Sequence, residues 1–562
     1  MFLKARRFSR ARTAAAGLAA VAMLATACGG SSSGGDANKD TLVVYTGQSG
    51  DYQLNFNPFS PTQIEGPGTI FEPLFFFNNV RDVEPKPRLG KTFKWNADGT
   101  QLDIELRDDA KWTDGEKFTA EDVVFTLDMV AKNPSMNGTN YKGTATAVDD
   151  THVTVKFAEP SYMEGPQVLG RIWMVPQHKW KDLATPATDV IKEPVGTGPF
   201  MLDEFKPQAF TLKANPTYHG GEPALKKVRY LSLSGNQAGA DALKAGQIDW
   251  QTGPVPDIKD VEKNYPGYKA VTIPMNQVGL MTCSNAALGC QGPQTDVAVR
   301  KAIYYGMNRT QINSLAFENT ASEISPGAAL LERDKDIISG KLKEKTAPMQ
   351  ADEAKATGIL ESAGYTKGSD GIYAKDGKPL ALTLKVVTGW TDYITAVETV
   401  TQQLQKVGIK VTAQQLSWNE WSDARGRGEF ELIIDSIYQG PAPDPFYNAS
   451  YFFSTQTTAK VGEVANPNFS RFSDPQVDAA LAALKGIDPE NDAARQPYFD
   501  TIQTRIEESI PYIPVLTGGT TSEYNAKKFT GWPTKDDLYA FPAVWSRPDA
   551  SEVYLKLKPA GQ

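Results

Sequence analysis

The run from Leu380 to Gln415 constrains the fold of this chain more than any other stretch. LALTLKVV (Leu380 to Val387) has the β-branched, half-alternating character of a strand. Ile394 to Val407 carries helical periodicity, and Ile409 to Gln415 reads as a strand again. Strand, helix, strand in that order is the α/β pattern. Helices are expected at Val299 to Tyr305 and Asp352 to Ala363, and in two pieces over 473–509 around Asp488-Pro489. Earlier in the chain, Thr41 to Tyr45 (TLVVY) reads as a strand. Two more strands flank the turn Asn96-Ala97-Asp98-Gly99, and Thr151 to Phe157 alternates as another. Ala120 to Val130 reads as a helix capped by Thr119, with acids in its first turn. With 562 residues the chain has material for three to four domains or two large lobes. Its 40% apolar content is enough to give them cores.

Residues 1–27 carry Lys4, Arg6, Arg7, Arg10 and Arg12 and no acid, followed by the uncharged stretch Thr13 to Ala27. That stretch is shorter than the roughly 20 residues a bilayer core requires. A basic start and a short apolar segment make a secretory signal. It ends LATA and then Cys28-Gly29-Gly30, which resembles a bacterial lipoprotein signal, whose cysteine becomes the lipidated N-terminus. Loss of the five basic residues takes the net charge from −8 to −13. Residues 28–40, rich in Gly and Ser, read as a flexible tether. The expectation is a monomeric body held by a lipid to the outer face of the cell membrane. Outside the cell Cys283 and Cys290 can pair, the alternative being two free buried thiols.

The chemistry that this composition excludes is broad. Acids outnumber bases by 66 to 58 and no basic stripe occurs, which argues against a nucleic-acid partner. Three histidines and three cysteines lie scattered, so no metal or other cofactor is expected. There is no G-x-S-x-G elbow and no H-E-x-x-H helix. The segment Gly371 to Lys378 has the wrong spacing for a phosphate loop and reads as a hairpin. A non-enzyme is expected, with a cell-surface hydrolase or sensor as the alternative from another class.

From Phe71 to Leu127 the chain resembles the extracellular solute-binding proteins of family 5, which serve oligopeptide and dipeptide importers. The resemblance runs through FEPLFFFNN, Trp112-Thr113-Asp114-Gly115 and Thr119-Ala120-Glu121-Asp122-Val123. It continues in the family's order through PVGTGPF (Pro194 to Phe200), ANPTYHGG (Ala214 to Gly221) and ALKAGQIDW (Ala242 to Trp250). DVAVRKAIYYGMNR (Asp296 to Arg309), ESAGY (Glu361 to Tyr365) and KVGIKV (Lys406 to Val411) complete the series. Most of these residues have scaffold readings, as turns, caps and close chain crossings. The resemblance implies an α/β fold of two periplasmic-binding-protein-like lobes with an extra subdomain in the first. It places the first lobe at 41–78, 194–280 and 516–562, the extra subdomain at 79–193 and the second lobe at 281–515. It implies capture of a solute between the lobes and delivery to the permease subunits of an ABC importer.

Which solute remains open between two classes. Peptide-binding members carry an aspartate four residues before the proline of a D-P pair. Here the pair is Asp444-Pro445 and that position is Pro441, which cannot meet an amine. The segment Phe529 to Trp545 (FTGWPTKDDLYAFPAVW) resembles the branch that binds cellobiose, β-glucan fragments or chitooligosaccharides. By that resemblance Trp390 and Trp532 stack on sugar rings and Asp392 is a polar partner. Apolar sugar faces lie on aromatic planes, while hydroxyls need paired donors and acceptors. Tyr438 and Gln439 end the run LIIDSIYQG, at a strand end where clefts of α/β lobes lie. Trp418 and Trp421 stand three apart, on one helix face, and are expected to pack a core. The expected ligand is an oligosaccharide, with an oligopeptide as the alternative.

Overall fold

The computed structural model describes residues 39–561, apart from 49, 61, 134, 138–140 and 466. The signal segment and Cys28 lie outside the described residues. One ten-stranded mixed sheet runs through the molecule. In chain order its strands are β1 (Thr41–Tyr45), β2 (Phe200–Lys206), β3 (Ala209–Ala214), β4 (Lys227–Leu231) and β5 (Trp250–Thr252). Then come β6 (Tyr268–Thr282), β7 (Ala381–Val387), β8 (Lys410–Leu416), β9 (Leu432–Ile437) and β10 (Tyr512–Asn525). Their order in space is β8-β7-β9-β6-β10-β5-β1-β4-β3-β2.

The strand–helix–strand run forms as its pattern requires. β7 and β8 pair in parallel from Ala381↔Lys410 to Val387↔Leu416, which demands a crossover. That crossover is the helix Thr391–Lys406, whose buried Ala396, Val397, Val400 and Leu404 cover the sheet. The expected helices at 299–305, 352–363 and 473–509 are present as Val297–Gly306, Glu353–Ser362, Pro475–Lys485 and Asp492–Ser509. The segment expected as a hairpin turns at Asp376-Gly377, both with positive φ, between short antiparallel strands.

Two strands are far longer than the rest. β6 has 15 residues and β10 has 14, and they pair antiparallel over their whole length. At one end β10 pairs with β5 through residues 522–524; at the other, β6 pairs with β9 through 277–282. These two strands therefore carry the sheet from the first lobe into the second. Between the ends the register slips twice, at Pro274/Asn276 and at Val278/Gly279. Gly518 and Gly519 face this stretch, and a Cβ on Gly519 would stand 2.5 Å from the Thr272 methyl. Slipped register and paired glycines make the stretch of the sheet between the lobes its most irregular part.

Each lobe has its own apolar core. Leu42, Phe210, Trp250 and Tyr524 belong to the first, and Val299, Leu384 and Val400 to the second. A further cluster around Trp421, Phe446 and Tyr512 lies mostly in the second lobe and takes in Met163 of the extra subdomain. The extra subdomain has a separate core under a four-stranded antiparallel sheet (Gly90–Trp95, Gln101–Leu106, His152–Lys156, Thr144–Asp149) and the helix Ala120–Lys132. The motif residues there build structure. The Trp112 indole donates to Asp122 Oδ2 at 3.2 Å, and Asp122 closes a capping box with Thr119. Gly196 and Gly198 are glycines because the chain at Thr69-Ile70 passes against them. A Cβ would stand 1.9 Å from Ile70 O and 2.2 Å from Thr69 O. Cys283 and Cys290 form a disulfide. Among the described residues no helix is long and apolar enough to cross a membrane.

Candidate functional site

The lobes meet along one side of the long strands. A Cβ on Gly235, after β4, would stand 3.4 Å from the carbonyl of Gly389, after β7. Glu318 of the second lobe accepts the Ile258 amide of the first at 3.1 Å. Lys485 pairs with Glu164 at 2.9 Å, and the Tyr451 hydroxyl donates to Gln167 Oε1 at 3.2 Å. A cavity of about 130 Å³ lies between the lobes. Thr252 and Trp545 line it from the first lobe, Phe317, Glu318 and Asp392 from the second, and Thr520 from β10.

Trp390 sits at the C-terminal end of β7, half-buried, as the residue before the helix Thr391–Lys406. Its ring meets Tyr393 at 5.6 Å, Trp421 at 5.5 Å and Trp418 at 5.8 Å. Asp392 lies in the first turn of that helix and reaches the cavity. Burial raises its carboxyl to about 6. Tyr438 follows β9 and is 42% exposed. It stacks on Tyr451 at 6.0 Å, and the Arg171 guanidinium of the first lobe lies 5.5 Å from its ring centre. Gln439 is buried instead. Its amide donates to Gln277 Oε1 at 3.2 Å and to Ile437 O at 3.0 Å. Its own oxygen, and that of neighbouring Asn448, have no partner among the described residues.

Trp532 is placed apart from these. Only 8% exposed, it stacks on Tyr524 at 4.8 Å, crosses Trp250 at 5.6 Å and donates to Phe529 O. It belongs to the first-lobe core and does not line the cavity. Pro441 is buried and brings no charge. Asp444 cannot replace the missing acid, because it caps the helix Pro445–Phe452 and is paired with Arg495.

Two aromatic residues gain a role that their sequence positions conceal. Trp545 closes the segment Phe529–Trp545, yet it and not Trp532 faces the cavity, 41% exposed. Trp421 is fully buried, whereas Trp418 is 47% exposed. The two rings stack at 5.4 Å, as spacing on a helix face requires. Trp418 is the first residue of the helix Trp418–Arg427, so it projects past the edge of the core that holds Trp421. Among the described residues no three His, Cys, Asp or Glu side chains are grouped to hold a metal ion.

Comparison with known proteins fits this architecture. A family described as "Bacterial extracellular solute-binding proteins, family 5 Middle" matches residues 84–459. Oligopeptide-binding protein AppA of Bacillus subtilis (strain 168) is 26% identical over 529 residues, 88% of this chain and 91% of its own. The nickel-binding periplasmic protein of Escherichia coli (strain K12) is 25% identical over 489 residues, 82% of this chain and 86% of its own. Among solved structures, the mannohexaose-bound oligopeptide ABC transporter periplasmic oligopeptide-binding protein of Thermotoga maritima superposes with a TM-score of 0.82. It is 24% identical, and the match covers 93% of this chain and 99% of that one.

Proposed function

Because this chain belongs to the bacterial extracellular solute-binding proteins of family 5, and so is a solute-binding protein of an ABC importer, we propose that its solute is an oligosaccharide captured between the two lobes. The observation that carries this reading is the placement of aromatic surface. Trp418, Tyr438 and Trp545 are 47%, 42% and 41% exposed, whereas the other large rings among the described residues are buried or half-buried. Trp545 lines the interlobe cavity, and Tyr438 stands under a guanidinium of the opposite lobe. Open rings in a cleft are what the apolar faces of sugars require. Trp390 and Asp392 complete the second-lobe wall.

No covalent step is involved. Solute contacts made by both lobes bias the hinge toward closure, and the closed form is what the permease subunits receive. The protein works as an extracytoplasmic monomer, anchored by a lipid on Cys28. A Cys28→Ser variant should then leave the membrane fraction.

The peptide reading has its own support: relatives of this fold and length are named for peptides, and one structure was solved with a nonapeptide. A calorimetric screen with cello-, xylo-, manno- and chitooligosaccharides beside di- to hexapeptides separates the two. A sugar that binds the wild type and binds Trp390→Ala and Trp545→Ala at least about tenfold more weakly is the expected result. Peptides alone binding would overturn it.

A further inference from the structure

The charges around the interlobe cavity are one-sided. Asp392 and Glu318 line it, and no Lys, Arg or His does among the described residues. Four half-buried or buried carboxylates elsewhere around the lobes have cations. Asp435 has Arg425, Asp444 has Arg495, Asp334 has Arg333 and Glu65 has Arg547. Asp392 has no such partner, and Glu318 receives only a backbone amide. An acid in the first turn of a helix is ordinarily explained by the helix dipole. That explanation does not reach Glu318, which follows the helix Arg309–Ala316 on two consecutive residues with positive φ, Glu318 at 49° and Asn319 at 57°. Nor does it reach Thr520, which is 94% buried, lines the same cavity and has no hydrogen-bond partner for its hydroxyl. A buried hydroxyl without a partner costs free energy until a ligand supplies one. The Trp545 ring lines the same cavity, and aromatic rings attract cations. Glu523 is also buried without a cation, but it does not line the cavity.

We propose that this cavity is an ammonium site: the solute carries a charged amine that seats between Asp392 and Glu318 against Trp545, with the Thr520 hydroxyl as a further hydrogen-bonding group. This rests on the reading that the cleft between the lobes holds the solute, and it narrows the class of that solute. At about 130 Å³ the cavity takes one terminal group, with the rest of the ligand lying toward the exposed rings outside it. Two kinds of molecule bring such a terminus: a deacetylated amino sugar and the free N-terminus of a peptide.

Matched pairs test the proposal by calorimetry on the purified protein: glucosamine against N-acetylglucosamine oligomers of equal length, and one pentapeptide with a free or an acetylated N-terminus. In at least one pair the free amine is expected to bind about tenfold tighter or better, the size of one hydrogen bond to a charged group. In Asp392→Asn/Glu318→Gln the gap is expected to close, with the melting transition showing that the variant is folded. Equal binding within both pairs, a gap that survives the double substitution, or no binding of any amine would overturn the site. Neutral sugars bound equally well by both proteins would remove the ammonium site and leave the oligosaccharide reading intact. A free-amine peptide bound tightly beside no sugar at all would do the reverse.

Discussion

Gly389-Trp390 and Gly531-Trp532 are the same dipeptide, with glycine φ values of 90° and 94°, one in each lobe. Their tryptophans nevertheless have opposite environments. Trp390 caps a helix at a strand end and stays half-buried beside other rings at the mouth of the second lobe. Trp532 is sealed between Tyr524 and Trp250 in the first-lobe core. Two carboxylates repeat the contrast. Glu72 is buried with His219 at 3.0 Å and Tyr218 at 2.9 Å. Burial pushes its carboxyl up, but His219 and Arg88 outweigh that and hold it below its ordinary value. Asp392 faces a cavity with no cation, and burial alone raises it to about 6. A buried group with its partners in place holds structure; the same group facing empty space without them is available to a ligand.

The largest effects should come from the packed members. Trp532→Ala should cost about 3–5 kcal/mol in denaturant unfolding, the usual penalty for emptying an aromatic site in a core. Trp390→Ala should cost less than half of that and act chiefly on solute affinity. Equal losses of stability would break the comparison. Glu72→Gln should cost about 3 kcal/mol or more near neutral pH, because it strips the partner from a buried His219. The stability that Glu72 contributes is present above its unfolded value near 4.5 and is lost as pH falls through the lower folded value. The difference in melting temperature between wild type and Glu72→Gln should therefore shrink in acid.

The hinge comes next in size. At Gly519 a Cβ would stand 2.5 Å from Thr272 and 2.7 Å from the Thr320 carbonyl; at Gly518 the closest approach is 3.2 Å. Gly519→Ala should destabilise by about 1–3 kcal/mol and shift the balance between open and closed lobes, seen as weaker solute binding. Gly518→Ala should be milder on both readings. The reverse order would place the flexible point elsewhere along β6 and β10.

How much of this could be read in advance depends on the kind of contact. The crossover from β7 to β8, the capping box at Thr119 and the helices on either side of Asp488-Pro489 are local patterns, fixed by neighbours within a few residues. The close approach at Gly196 was visible as an unusual pair of glycines. The ten-stranded sheet was not visible, because it depends on β6 meeting β10 more than 200 residues away. The cavity was hidden for the same reason: Trp545, Asp392, Glu318 and Thr520 share no local pattern. The depth of Trp532 rests on Trp250, also remote in sequence. A tryptophan in a Gly-Trp-Pro segment could not show which side of the sheet it would face.

The sharpest test of the unpaired members is a pH series. Asp392→Asn should raise stability by about 2–3 kcal/mol at pH 7.5 and leave it nearly unchanged near pH 3.5. The sign follows from its environment. The folded carboxyl sits near 6 and the unfolded one near its ordinary 3.8, so between those values only the unfolded chain ionises. Stability falls as pH rises through that window, and the penalty is complete above about 6. The charged groups near Asp392 do not reverse this. Glu318 across the cavity is an acid, and Asp435, which with Asp392 raises the neighbouring Tyr393 hydroxyl, is already held by Arg425. Melting curves of both proteins across pH 3.5 to 7.5 should therefore coincide in acid and part toward neutrality, with Asp392→Asn the more stable. Glu72→Gln should part from wild type with the opposite sign. An Asp392→Asn protein that melts lower at pH 7.5 would show that this carboxylate has a stabilising partner in the unliganded protein, and the contrast between a structural acid and a waiting one would fail.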